Sequence, residues 1–198
     1  MLTDLPNVLT LSRIVAIPVL VALVAMGRPL TDSAACLLFI AAAFTDYLDG
    51  KLARARHQYS DLGRMMDPIA DKLLVGASLM VLAGTGRLAY AALYPAIVIL
   101  AREILISGLR EYLASTRISL PVTRLAKWKT GIQMTAIGFL LAGDSTGALL
   151  HLQWLRVGLV GAALLWIAAG LTVITGWDYL LAGLRHVGRT DGASKIAS

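Results

Sequence analysis

Four aspartates stand between residues 46 and 71 at spacings that suit helices. In the segment Asp46–Arg54, Asp46, Asp49, Gly50, Ala53 and Arg54 occupy relative positions 0, 3, 4, 7 and 8. At about 100° per residue those positions share one helical face. Eight residues separate Arg54 from Gly63, and Asp67 and Asp71 then stand four apart on a common face with Gly63. Two helices joined by a short turn can therefore aim four carboxylates at one point. Without a cation such carboxylates repel and take up protons. Mg²⁺ pairs a few carboxylates with substrate phosphates. Two such ions about 4 Å apart can clamp the attacking and leaving oxygens of an in-line phosphoryl displacement. Gly50 and Gly63 remove side-chain bulk where a ligand or a neighbouring backbone could approach, and Arg54 supplies a guanidinium fork suited to phosphate. Two other readings of the same residues are a proton relay, and aspartates neutralised by Lys51, Arg54 and Lys72.

The elements that must hold these residues are apolar. Of 198 residues, 58% are hydrophobic and 15% charged, against about 45–50% and 25% in ordinary soluble domains. A soluble domain of this size has too much surface for its volume to hide that excess, and so apolar a chain is not disordered. The lone Cys36 excludes an internal disulfide framework and a multi-cysteine zinc site. A net charge of +6 points to basic cytoplasmic loops and anionic lipid rather than to nucleic acid.

Six apolar stretches can be read, over Val8–Met26, Ala34–Leu48, Leu73–Ala83, Leu88–Leu100, Ile132–Ala142 and Val157–Ile174. A spanning helix needs about 20 mostly apolar residues, so the middle four reach that length only by extending through neighbouring polar patches. With the N-terminus inside, thirteen of the 18 Lys and Arg fall in interior segments and three (Arg28, Arg87, Arg156) outside. Lys72 and Arg102 lie within spans. By the positive-inside rule this predicts an all-α bundle of six transmembrane helices with both termini cytoplasmic. Gly27–Pro29, Gly84–Gly86 and Gly143–Gly147 become outer turns, and Pro121 breaks the chain before the fifth helix. Residues 1–190 form a single membrane domain in this reading, and 191–198 a disordered tail. A cleaved signal peptide is the competing reading of the first span.

The pattern Asp46-x2-Asp49-Gly50-x2-Ala53-Arg54-x8-Gly63-x3-Asp67-x3-Asp71 resembles, at all eight positions, the signature of the CDP-alcohol phosphatidyltransferases. The resemblance extends over nearly the whole chain and implies six transmembrane helices, a homodimer and an active site facing the cytoplasm of a bacterial inner membrane. It also implies transfer of a phosphatidyl group from CDP-diacylglycerol to an alcohol, with release of CMP. By position it assigns Asp46, Asp49 and Asp67 to one divalent metal, Mg²⁺ or Mn²⁺. A second ion falls to Asp67 and Asp71, and Asp71 doubles as general base. Asp46, Asp49, Gly50, Arg54 and Ser60 fall where the family meets the CDP moiety. The chemistry agrees, because an acceptor hydroxyl attacks better when a carboxylate takes its proton. Charge developing on departing CMP can be neutralised by a metal and Arg54.

Other patches bear on the acceptor. Leu5–Arg13 resembles the opening of bacterial phosphatidylglycerophosphate synthases, a short amphipathic segment at the membrane surface. It makes Asn7 and Thr10 nucleotide-binding candidates, with a helix start and lipid anchor as the plainer reading. Asp67-Pro68-Ile69-Ala70-Asp71-Lys72, Arg102-Glu103-Ile104, Leu109-Arg110-Glu111 and Lys127-Trp128-Lys129-Thr130 with Gln133 resemble the same subgroup. Its acceptor, sn-glycerol 3-phosphate, is a dianion that calls for several cations, here Arg102, Arg110, Lys127 and Lys129. Lys127 can instead snorkel to lipid headgroups, and Arg102 can pair with Glu103. Inositol phosphate, serine or phosphatidylglycerol are alternative acceptors. A cation transporter would need polar residues continuing into the outer halves of the spans, and these are apolar. A purely structural protein would leave the converging aspartates unexplained.

Overall fold

The computed structural model describes residues 5–56, 61–89, 91–115, 124–149, 151 and 154–196; within these, the side chains of 5–7, 46–56, 61–65, 115, 124, 178 and 181–196 lie outside the description. The described residues form six helices and no strand: α1 (Leu5–Ala25), α2 (Pro29–Arg56), α3 (Asp61–Gly84), α4 (Leu93–Ser115), α5 (Arg124–Leu149) and α6 (Val157–Ile196). Two of them contain a stretch long and apolar enough by composition to cross a membrane, Val8–Ala25 and Val157–Trp177, and Pro29–Thr45 is a shorter apolar one.

Helix boundaries follow local chemistry. Pro29 opens α2, where its missing N–H costs nothing. One turn on, the Thr31 hydroxyl accepts from the Arg28 N–H at 3.2 Å and donates to the Arg28 carbonyl at 2.9 Å. At the end of α3 the Arg87 N–H bonds the Leu82 carbonyl at 2.9 Å and the Gly86 N–H bonds that of Ala83 at 3.1 Å. That is a Schellman closure, with Gly86 at φ 70° in the left-handed conformation it requires. The fourth helix begins at Leu93, not at Leu88 as hydropathy suggests. Starting there puts Pro95 in the first turn, where no N–H is needed.

Two further differences concern the later helices. Gly143, at φ 64° and ψ 175°, kinks α5, and helix resumes over 144–149 where an open turn was expected. The last helix continues through Ile196, across the boundary drawn at residue 190. Once a long packed helix is nucleated, each added residue costs little.

Packing joins helices that are distant in sequence. The first helix packs on α2 and α3, α2 on α5, α5 on α6 and α6 on α4, while α3 meets α4 along only a thin seam. All six contribute to one core, represented by Leu20, Phe39, Leu74, Ile99, Leu141 and Leu165. Large apolar side chains such as Val15, Leu37, Met80, Ile104 and Ile174 point outward. An exposed apolar surface of that extent fits lipid better than water. Hydrogen bonds gather the three short turns at one end of the bundle. Asp32, 2% exposed, accepts from Arg87 Nη2 at 2.7 and 2.9 Å and from the Ser145 hydroxyl at 2.9 Å. Asp144 accepts from the Gly158 N–H at 2.9 Å.

Candidate active site

At the opposite end the chemistry-bearing residues converge. Asp67 and Asp71 lie one turn apart on α3, and Thr10 of α1 donates its hydroxyl to Asp67 Oδ1 at 2.5 Å. The inner face of α1 runs through Thr10, Arg13, Leu20 and Val24, all buried, with the partly buried Ile17 between Arg13 and Leu20. Its polar first turns therefore meet the aspartate helix, and its apolar remainder enters the core. Of the expected nucleotide contacts, Thr10 takes the interior position rather than that of a surface anchor. The backbone carries Asp46, Asp49, Gly50 and Arg54 on α2 and Asn7 on α1; their side chains, and all of Ser60, lie outside the described residues.

Asp71 borders a cavity of about 630 Å³ among α1, α3, α4 and α5. One end is polar, with Asp71, Lys72, Glu103, Thr130 and Gln133; the body is apolar, with Ile17, Val75, Met80, Leu100 and Met134. A second cavity of about 490 Å³ occupies the thin α3–α4 seam and is lined by Lys72, Arg102, Glu103, Ser107, Arg110 and Glu111, among others. Ile69, Lys72, Glu103 and Ser107 face both spaces, so the two adjoin.

The expected acceptor cations divide. Arg102 and Arg110 share the seam cavity. Arg102 is held on three sides: Nη1 lies 3.6 Å from Glu103 Oε1, Nη2 donates to Thr175 Oγ1 at 3.0 Å, and the guanidinium stands 5.9 Å from the centre of the Tyr179 ring. Arg110 faces the same ring at 6.0 Å. A Cβ built on Gly176 would meet Arg102 Cγ at 3.2 Å and Nε at 3.3 Å, so that glycine makes room for the arginine. Lys129 is buried and paired with Glu103, behind the cavity rather than in it. Lys127 is not brought to the cluster. It lies with Trp128, Ile132 and Leu164 on another face, as a snorkelling lysine does.

Lys72, expected as a neutralising charge, lines both cavities, and Arg13, which has no expected role, sits one turn from Thr10 on the same buried face. That spacing was the available signal. Nothing in the sequence pointed to Thr175 or Tyr179, which approach from the far end of the chain.

Among the described residues no three potential metal ligands cluster, since two of the four aspartate side chains lie outside them. The donors that are described suit a hard divalent cation: Asp67 and Asp71 offer carboxylate oxygens, and Thr10 fixes the orientation of one carboxylate as metal-site partners do.

Residues 3–174 match the CDP-alcohol phosphatidyltransferase family. The chain belongs to that family. Members generally depend on a divalent metal. The chain is 44% identical over 179 residues to the CDP-diacylglycerol–glycerol-3-phosphate 3-phosphatidyltransferase of Rickettsia bellii, covering 90% of this chain and 94% of that one. The enzyme of the same name from Cereibacter sphaeroides is 40% identical over 217 residues, covering 93% and 97%. A rice cardiolipin synthase (CMP-forming) is 41% identical over 184 residues, covering 87% of this chain and 55% of the rice protein.

Proposed function

We propose that this phosphatidyltransferase moves the phosphatidyl group of CDP-diacylglycerol onto sn-glycerol 3-phosphate, giving phosphatidylglycerophosphate and CMP. The observation that carries the reading is the pair of adjoining cavities, one cationic and one amphiphilic with a carboxylate at its polar end. An acyl chain fits the apolar body beside Met80 and Leu100. A phosphate dianion fits the Lys72, Arg102 and Arg110 pocket, whereas serine, a zwitterion of zero net charge, has less use for three cations.

In this reading the seam pocket holds the acceptor phosphate and turns the free hydroxyl toward Asp71. Asp71 takes the hydroxyl proton as the oxygen attacks the phosphorus bearing diacylglycerol, and CMP leaves in line. Asp46, Asp49, Asp67 and Asp71 would hold two Mg²⁺ or Mn²⁺ ions, which supply charge neutralisation at the transferring phosphate. Asn7, Thr10, Gly50, Arg54 and Ser60, with Asp46 and Asp49, would cradle the CDP moiety. The apolar exterior supports a multi-pass protein of the bacterial cytoplasmic membrane, and charge asymmetry supports six spans with the site facing the cytoplasm. A homodimer is proposed from the family resemblance.

Purified protein in detergent, given CDP-diacylglycerol, Mg²⁺ or Mn²⁺ and a panel of alcohols, should release CMP with glycerol 3-phosphate. The kinship with a cardiolipin synthase favours one competitor, phosphatidylglycerol as acceptor. CMP release with phosphatidylglycerol or serine, and none with glycerol 3-phosphate, sinks the acceptor assignment.

A further inference from the structure

Glu103 stands where the two cavities join. It lines both the cationic seam pocket and the space that contains Asp71. It is not a loose surface acid: Oε1 is paired with Lys129 Nζ on α5, whose side chain is 5% exposed, and lies 3.6 Å from Arg102 Nη1. A carboxylate has about four lone-pair sites, so this pairing fixes its position while leaving capacity to accept further hydrogen bonds. Arg102 and Arg110 lie in the seam pocket with Glu111; Lys72 and the anchored Glu103 border both spaces, and Asp71 lies in the second space alone. sn-Glycerol 3-phosphate presents three groups in the same order: a phosphate on C3, a hydroxyl on C2 and the attacking hydroxyl on C1.

We propose that Glu103 accepts a hydrogen bond from the C2 hydroxyl of the acceptor and so selects glycerol 3-phosphate over phosphorylated alcohols that lack this group. This rests on the acceptor assigned above. The same negative charge repels the phosphate from the Asp71 end, so the acceptor enters with only one polarity. Lys129 is the positioning residue behind it.

The experiment compares two acceptors that differ in a single group, sn-glycerol 3-phosphate and 3-hydroxypropyl phosphate. With the wild-type protein, kcat/KM should be about 10- to 100-fold lower for the deoxy compound, the range expected for a lost hydrogen bond to a charged group. In Glu103→Leu that ratio should fall below about 3-fold, because the preferred acceptor loses its partner and the deoxy compound had none. If Glu103 only supports Lys129, both acceptors slow by the same factor and the ratio persists; that outcome overturns the proposal. A wild-type protein that uses both equally also overturns it while leaving the enzyme assignment intact. CMP release with neither acceptor instead removes the assignment itself. Should Glu103→Leu fail to yield a monodisperse protein, Glu103→Asp withdraws the carboxylate by one methylene and keeps its charge. Most of the discrimination should then be lost, and an undiminished ratio refutes the idea.

Discussion

Asp67 and Asp71 are one helical turn apart, yet they meet different neighbours and should fail differently when altered. Asp71 borders the amphiphilic cavity, and in the proposed reaction it removes the proton of the attacking hydroxyl. Asp71→Asn should lower turnover by about 10²- to 10⁴-fold while CDP-diacylglycerol still binds, as read by equilibrium nucleotide binding; near wild-type rates would refute the assigned base. Asp67 is oriented by Thr10. Thr10→Val keeps the shape and loses the donor, so activity should fall about 10- to 100-fold, the usual effect of removing a partner of a metal-binding group. Titration of the variant with Mn²⁺ should show a weakened metal affinity, read as a higher half-saturating concentration, and an unchanged half-saturation would leave Thr10 a packing residue. The shared face of Asp67 and Asp71 is legible because a one-turn spacing survives in the sequence as a fixed offset, whereas the bond from Thr10 to Asp67 joins two helices and leaves no such offset. Lys127 and Lys129 were not separable that way. They are two residues apart, about 200° around the helix, so only one can face inward, and both flank the same tryptophan. Burial decided it, through Glu103 on another helix.

The helices owe their positions to features of very different visibility in the sequence. Alternating apolar and turn segments gave the number and order of elements, and the glycines at 27 and 86 marked breaks, whereas Gly143, expected to open a turn, only kinks α5. The middle stretches looked too short because their site-bearing ends are polar; Asp61–Gly84 is 24 residues long although its apolar part runs only over Leu73–Ala83. What could not be read was partnership: α6 returning to clamp α4, so that Thr175, Gly176 and Tyr179 set the pose of Arg102. Those residues look like ordinary span residues until the helices are side by side. Gly176→Val should therefore displace Arg102 and raise KM for glycerol 3-phosphate by about 10-fold or more, with little change in KM for CDP-diacylglycerol. Equal changes in both constants would mean a general loss of structure instead. At the other end, Asp32 binds Arg87 from the α3–α4 turn and Ser145 beyond the α5 kink. Asp32→Ala strands a cation whose side chain is only 20% exposed, and should cost about 2–4 kcal/mol. Thermal unfolding in detergent would register this as a lower Tm, whereas Asp32→Glu should recover part of it.

At the scale of the whole molecule, the two ends differ in kind. One end carries the short turns, tied by the Asp32–Arg87 ion pair. The other gathers Asp71, Lys72, Arg102 and Arg110 around open cavities. Trp154 stands exposed beside the start of α6, and Trp177, 20 residues into that helix, is exposed as well. At 1.5 Å per residue the intervening helix is about 30 Å long, the thickness of a bilayer's hydrocarbon core, and tryptophan favours both of its interfaces. Charge counting expects the turn-closed end to lie outside the cell and the site end inside, where nucleotide and glycerol phosphate are found. The single cysteine makes this directly testable, since Cys36→Ala provides a cysteine-free background. On it, Thr85→Cys and Arg156→Cys probe one end, and Ala114→Cys, exposed near the end of α4, probes the other. A membrane-impermeant maleimide applied to intact cells should label the first two and spare the third until the membrane is opened. The reverse pattern would invert the orientation, and labelling of all three in intact cells would dismiss the alternating spans.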